Sequence, residues 1–148
     1  MAKVAKKKVS KTLPAILDGI DAHRNTVRTK GGFFAIALSI AVLTIGLLLI
    51  ALPGSITGVP GFVLTVIALP TLPLFGVPAA GGFVRYLLSL ISSLFLWWVI
   101  GHYAARRAIQ STISSWPEWL REFRPLAIGI VLGSLISLAI AAAVLGVL

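Results

Sequence analysis

Apolar side chains fill three long runs along this chain, 33–52, 86–105 and 126–148, and none of them contains Lys, Arg, Asp or Glu. At a rise of about 1.5 Å per residue, twenty residues of helix reach roughly 30 Å, the thickness of bilayer hydrocarbon. The pattern therefore predicts three transmembrane helices. Between the first two lies a further apolar interval, 62–75, too short for an uninterrupted span and broken by Pro70 and Pro73. With Pro53, Gly58, Pro60 and Gly61 ahead of it and Gly76 and Pro78 behind, a continuous helix is ruled out and a broken element over 56–82 is expected. Such an element either dips into the bilayer and returns, as a re-entrant hairpin, or crosses as a kinked fourth span.

Two shorter segments show helical periodicity with a polar side. Leu13, Ile16, Leu17, Ile20 and Val27 recur at helical spacing while Asp18, Asp21, Arg24, Asn25 and Arg28 take the other side. This predicts an amphipathic helix over about 14–28, opened by Pro14 and lying along the headgroups, with a bend at Gly31 and Gly32 into the first span. Trp116, Trp119, Leu120 and Phe123 fall at i, i+3, i+4 and i+7, and Ser115 and Glu118 have capping-box spacing. A second interfacial helix is expected over 115–124, after which Pro125 restarts the chain into the last span. The fold class is thus an all-α integral membrane protein with three transmembrane helices, a Pro/Gly-broken re-entrant hairpin (or four spans) and two interfacial helices. A basic amphipathic segment, 1–32, precedes a single helical membrane domain, 33–148.

Composition agrees: 58% of residues are hydrophobic, 11% are charged and the mean hydropathy is +1.03, against about a quarter charged in soluble domains. Charge then sets orientation. Of thirteen Lys and Arg, eight precede residue 31, Arg85 lies in the connection 53–85, and Arg106, Arg107, Arg121 and Arg124 follow the second run. The positive-inside rule groups the first and last sets in the cytoplasm, which requires 53–85 to begin and end outside and favours three spans with a hairpin. The amino terminus is then cytoplasmic and the carboxyl terminus outside. The long polar stretch ahead of Phe33 lacks the layout of a cleaved secretory signal.

Reactive chemistry is sparse. There is no Cys, only His23 and His102, and four carboxylates, Asp18, Asp21, Glu118 and Glu122, all outside the apolar runs. Neither a metal cluster, an intramembrane proton relay, a nucleophile triad nor a phosphate loop can be assembled, so neither enzyme nor resident cofactor is expected. Other candidates are structural. Gly129, Gly133, Ser137 and Ala141 form a small-residue stripe for a partner helix, with a shorter version at Ser89 and Ser93, whose hydroxyls are expected to bond back to their own helix. Trp97, Trp98, Tyr103, Trp116, Trp119 and Phe123 read as interfacial anchors. Lys3, Lys6, Lys7, Lys8, Lys11, Arg106 and Arg107 read as contacts to anionic phospholipid or a partner, the Lys-rich arm being the only part suited to nucleic acid.

The expected function is a small non-catalytic accessory or scaffold subunit of a larger membrane complex, packed against other integral subunits in a hetero-complex, with a homo-oligomer as the alternative. Two alternatives stand beside it. A small channel, holin-like or transport component would use the broken segment 53–82. A haem- or pigment-binding subunit would use His102 as axial ligand.

Overall fold

The computed structural model describes residues 2–76, 81–110 and 116–146, with side chains from Ala22 onward except at positions 23 and 55. Among the described residues all regular structure is helical: α1 (Ala2–Ala51), α2 (Ser55–Ala68), a 3₁₀ turn (Pro73–Phe75), α3 (Phe83–Ala108) and α4 (Trp116–Val144). Three stretches, Arg24–Ala51, Phe83–Ala108 and Trp116–Val144, are long and apolar enough to cross a membrane, which makes the chain a multi-pass membrane protein. α3 overruns the predicted 86–105 at both ends. Arg85, Arg106 and Arg107 are accommodated there because long cationic side chains at helix ends reach back to water.

The predicted bend at Gly31 and Gly32 is absent: α1 runs through them as one helix of 50 residues. The glycines serve contact instead. A Cβ on Gly31 would lie 2.7 Å from the Ala105 Cβ, and one on Gly101 would lie 2.6 Å from both the Gly31 carbonyl oxygen and the Ala35 Cβ. Two backbones meet here as closely as they can, so a bend would forfeit the contact. The expected break before the last span is likewise missing, since 116–124 and the final span form the single helix α4 with Pro125 inside it. Pro125 removes one N–H and opposes the carbonyl of Arg121, and the helix carries that local defect without ending. The expected Ser115 cap lies outside the described residues.

Contacts fix the helix directions. Gly31, Gly32 and Ala35 of α1 face Ala105, Gly101 and Trp98 of α3, so the two run antiparallel. α4 runs antiparallel to α3, since the Trp119 indole N–H donates to the Gly101 carbonyl at 3.0 Å and the Trp97 and Phe123 rings lie 6.0 Å apart. One apolar core, built on Val27, Ala35, Trp97, Ala104, Trp119 and Phe123, joins α1, α3 and α4. A second, around Val66, Leu69 and Leu72, packs the broken segment against Leu43, Leu90 and Leu138.

α2 turns back along α1 from a bend at Gly54, whose φ of 123° is open only to glycine at low cost. The Thr57 hydroxyl closes this turn on the carbonyls of Leu52 at 3.3 Å and Gly54 at 3.1 Å. A second close crossing follows: a Cβ on Gly61 would stand 2.8 Å from the Gly46 carbonyl oxygen, and one on Gly46 would stand 2.9 Å from that of Gly61.

Candidate functional site

The most polar part of the interior is the tip of the broken segment, and the prolines explain it. Pro70 has no N–H to offer the carbonyl of Val66, so α2 stops at Ala68 and its last groups need other partners. Ala68 oxygen accepts from the Ser39 hydroxyl of α1 at 3.0 Å and from the Trp97 indole N–H of α3 at 2.9 Å. The Thr71 N–H donates to Ser93 Oγ at 3.3 Å, and the Thr71 hydroxyl donates to the Ser89 carbonyl at 3.0 Å. Ser93 Oγ and Ser92 Oγ also lie 2.7 and 2.8 Å from Thr71 Oγ1. Where no water competes, an unpaired backbone group costs several kcal/mol, so these bonds are what allow non-helical chain at this depth in the bundle.

Ser89 and Ser93 therefore depart from the expected self-bonding. They are buried and turned onto Thr71 of the same chain, not onto a partner helix, while Ser92 shares itself between Thr71 and the Leu88 carbonyl at 2.7 Å. Of the broken-helix residues, Pro53 and Gly58 flank or open α2, Pro60 and Gly61 lie inside it, Pro70 and Pro73 are buried in the reversal, and Gly76 closes the 3₁₀ turn at φ 74°. Pro78 lies outside the described residues. Beside the tip, a cavity of about 180 Å³ opens between all four helices, its wall including Leu38, Ser39, Val42, Ala68, Trp97 and Val131.

The small-residue stripe of α4 is split by the fold. At Gly129 and Gly133 an added Cβ would meet nothing within 4 Å, whereas Ser137 and Ala141 are half-buried as the stripe winds toward the other helices. The expected anchors divide in the same way. Trp98 and Tyr103 are exposed, and Trp116 is half-buried against Phe34 with ring centroids 5.3 Å apart. Trp97, Trp119 and Phe123 are instead core residues, exposed by 6, 1 and 2%. Burial supplies their reason for being aromatic: Trp119 stacks on Phe123 at 4.6 Å, and both indole N–H groups reach helix carbonyls across an interface.

At the other end of α3, Arg24 Nη2 donates to the Ile109 carbonyl at 3.1 Å, and Arg107 pairs with Glu122 at 3.0 Å. The first contact ties the start of the α1 span to the end of α3 and the second ties α3 to the start of α4, so Arg24, Arg28, Arg106, Arg107, Arg121 and Arg124 gather at one end of the bundle. His102 lies there flat on Trp98, centroids 5.3 Å apart and planes within 3°. No group of three His, Asp or Glu side chains that could hold a metal ion exists among the described residues. The side chains of Lys3, Lys6, Lys7, Lys8 and Lys11 lie outside the described residues, although their backbone is part of α1.

Several residues that organise the bundle, Ala35, Ser39, Gly46, Gly101 and Ala105, were not singled out from sequence, and the sequence pattern marks Gly31 and Gly61 as breaks in the chain, not as points of close contact. A signal existed for some of them: Gly31, Ala35 and Ser39 recur every four positions, as do Ser89, Ser93, Trp97, Gly101 and Ala105. These are the same kind of stripe as that of α4, but used internally. Comparison with protein-family models, with curated proteins and with solved structures yields no match.

Proposed function

We propose that this chain is a non-catalytic membrane accessory subunit that packs α4 against a helix of another integral membrane protein. The observation that carries the reading is the contrast between its glycine faces. Gly31, Gly32 and Gly101 are sealed by one another's helices, and so are Gly46 and Gly61, whereas Gly129 and Gly133 face open space. α4 is also the barest span, with 6% of its apolar window buried against 17% and 22% for the other two. Exposed Ile128, Leu132, Ile136 and Ile140 form a ridge beside this glycine groove, a relief suited to ridge-into-groove packing.

In this reading the segment 56–82 is a re-entrant hairpin. α2 spans about 21 Å at 14 residues, short of the hydrocarbon thickness. Its tip is held by Ser39, Ser93 and Trp97, partway along both α1 and α3. Counting about eighteen residues back along α3 from the Gly101–Gly31 contact brings Phe83 level with the end of α1, so the segment leaves at the end where it entered. The Arg-rich end then faces the cytoplasm by the positive-inside rule, with the carboxyl terminus outside and the first turns of α4 and the amino-terminal part of α1 at the cytoplasmic headgroups.

Photo-crosslinking in native membranes tests the function. A photoreactive residue at position 133 is expected to yield one defined adduct with a second membrane protein, and the same residue at exposed Ile45 of α1 is expected to yield none. Equal, diffuse labelling from both positions overturns the reading.

A further inference from the structure

Between α1 and α3, at the Arg-rich end, lies a cleft of about 430 Å³ whose wall includes Arg28, His102, Arg106 and Ile109. We propose that it binds a phosphate-bearing anion, with Arg28 and Arg106 clasping the phosphate oxygens and the His102 ring edge closing on a third side.

The charge of the cleft is uncompensated by described groups. The two described carboxylates are engaged elsewhere, Glu122 with Arg107 at 3.0 Å and Glu118 with Arg121 at 3.8 Å. Among the described residues none of opposite charge reaches Arg28 or Arg106. Arg24 adds to the excess: its Nη2 is spent on the Ile109 carbonyl in the cleft wall, and its Nε is buried without a partner. An anion between Arg28 and Arg106, with Arg24 on the same end of the bundle, would relieve the mutual repulsion of these guanidinium groups. Guanidinium forks bind phosphate in bidentate fashion, which a chloride ion cannot reward equally. His102 is already oriented for the task by its stacking on Trp98, and no described hydrogen bond occupies its ring nitrogens.

The same helix face indicates the source. Phe95, Trp98, His102 and Arg106 follow one another at spacings of three and four along α3, Phe95 stacking on Trp98 at 6.2 Å. Phe95 and Trp98 are exposed, so an apolar stripe descends into the hydrocarbon directly below the cationic cleft. A phospholipid with its phosphate at Arg28 and Arg106 would lay an acyl chain along that stripe, as anionic lipids do in basic pockets between membrane helices.

The test uses the full chain in phosphatidylcholine nanodiscs, titrated with short-chain phosphatidylglycerol and, separately, with inorganic phosphate. Binding is followed by the imidazole resonances of His102, assigned against a His23→Gln variant. Saturable shifts of the His102 signals are expected. Arg28→Gln and Arg106→Gln, both exposed positions, should each weaken phosphatidylglycerol binding by roughly tenfold, the loss of one charge-assisted contact. Arg85→Gln removes the same charge from the opposite end of α3 and should leave binding unchanged. Tight saturation by phosphatidylglycerol alone assigns the cleft to a lipid headgroup, and equal saturation by inorganic phosphate assigns it to a soluble phosphate compound. Absence of saturable His102 shifts with both probes, or equal losses from Arg85→Gln and Arg28→Gln, overturns the proposal. A thermal unfolding midpoint matching the parent chain confirms that each variant is folded.

Discussion

Replacing Gly101 by Ala adds a single methyl group at the tightest point of the bundle. That Cβ would stand 2.6 Å from the Gly31 carbonyl oxygen, 2.6 Å from the Ala35 Cβ and 3.0 Å from the Gly32 Cα. Ordinary contact begins near 3.4 Å, so α1 and α3 must part by about 0.8 Å, and the obstacles are backbone atoms or a Cβ that no rotamer change can move. A radial gap of about 0.5–1 Å forfeits a quarter to a half of each dispersion contact along the seam. The Trp119 indole, whose N–H donates to the Gly101 carbonyl, is strained by the same displacement. The combined cost is about 1–3 kcal/mol, the usual range for overpacking, and it opposes the gain in helix propensity that Ala brings over Gly. Gly129→Ala is the matched control, since it makes the same chemical change on a face where nothing lies within 4 Å. Unfolding midpoints of both variants in bicelles under SDS titration provide the comparison, with Gly101→Ala expected well below the parent and Gly129→Ala at or above it. Equal stability of the two would refute the claim that close glycine contact holds α1 to α3.

Three further outcomes follow from the hairpin and the charged end. Thr71→Val keeps the shape of the side chain but removes the hydroxyl that meets Ser89, Ser92 and Ser93; a loss of about 1–2 kcal/mol is expected, with faster hydrogen exchange confined to 69–76. Ser39→Ala should cost about 1 kcal/mol or less, because the Trp97 indole still satisfies the Ala68 carbonyl, whereas Trp97→Phe should cost about 1–3 kcal/mol because it also removes buried ring volume; the double variant should cost more than the sum, and an additive cycle would contradict that picture. Arg107→Gln breaks the pair with Glu122, but side-chain exposures of 51% and 27% limit the loss to less than about 1 kcal/mol, diminishing further in high salt when thermal midpoints are compared.

What was legible in the sequence was decided by the hydrocarbon. Charge-free runs of twenty residues have one stable environment, so the three spans could be placed without knowing what they touch. The helix ends were harder, because Gly31 and Pro125 carry the local marks of a break and only tertiary contact shows that neither breaks the chain. Gly31 stays helical because Gly101 and Ala105 lie against it, and those partners are seventy residues or more away in sequence. The aromatic face of 116–123 met the same ambiguity. A lipid-facing surface and a surface facing other helices are both apolar, and the pattern that predicts a headgroup anchor at Trp119 also fits a core residue exposed by 1%.

Polar residues within the spans were ambiguous for a different reason. In hydrocarbon a serine or threonine has no water to satisfy it, so its position implies a partner, but periodicity cannot say whether that partner is its own carbonyl or another segment. Two hydroxyls of α1 show both fates: Thr44, on an exposed face, bonds back to Ile40 at 2.8 Å, whereas Ser39, on a buried face, crosses to Ala68 at 3.0 Å. What separates them is Pro70, which leaves α2 with carbonyls in need of donors at the depth of Ser39 and Trp97. Together Pro70 and the hydroxyls at 39, 71, 89, 92 and 93 form one unit, in which the helix end that the proline creates is met by donors on neighbouring helices, while the Leu69 carbonyl is met locally by the Leu72 N–H. The open glycines of α4 leave a demand of another kind. Gly31 and Gly46 are met by backbone of a neighbouring helix, whereas among the described residues nothing stands within 4 Å of a Cβ at Gly129 or Gly133, so the close approach that these glycines permit is not used within the chain.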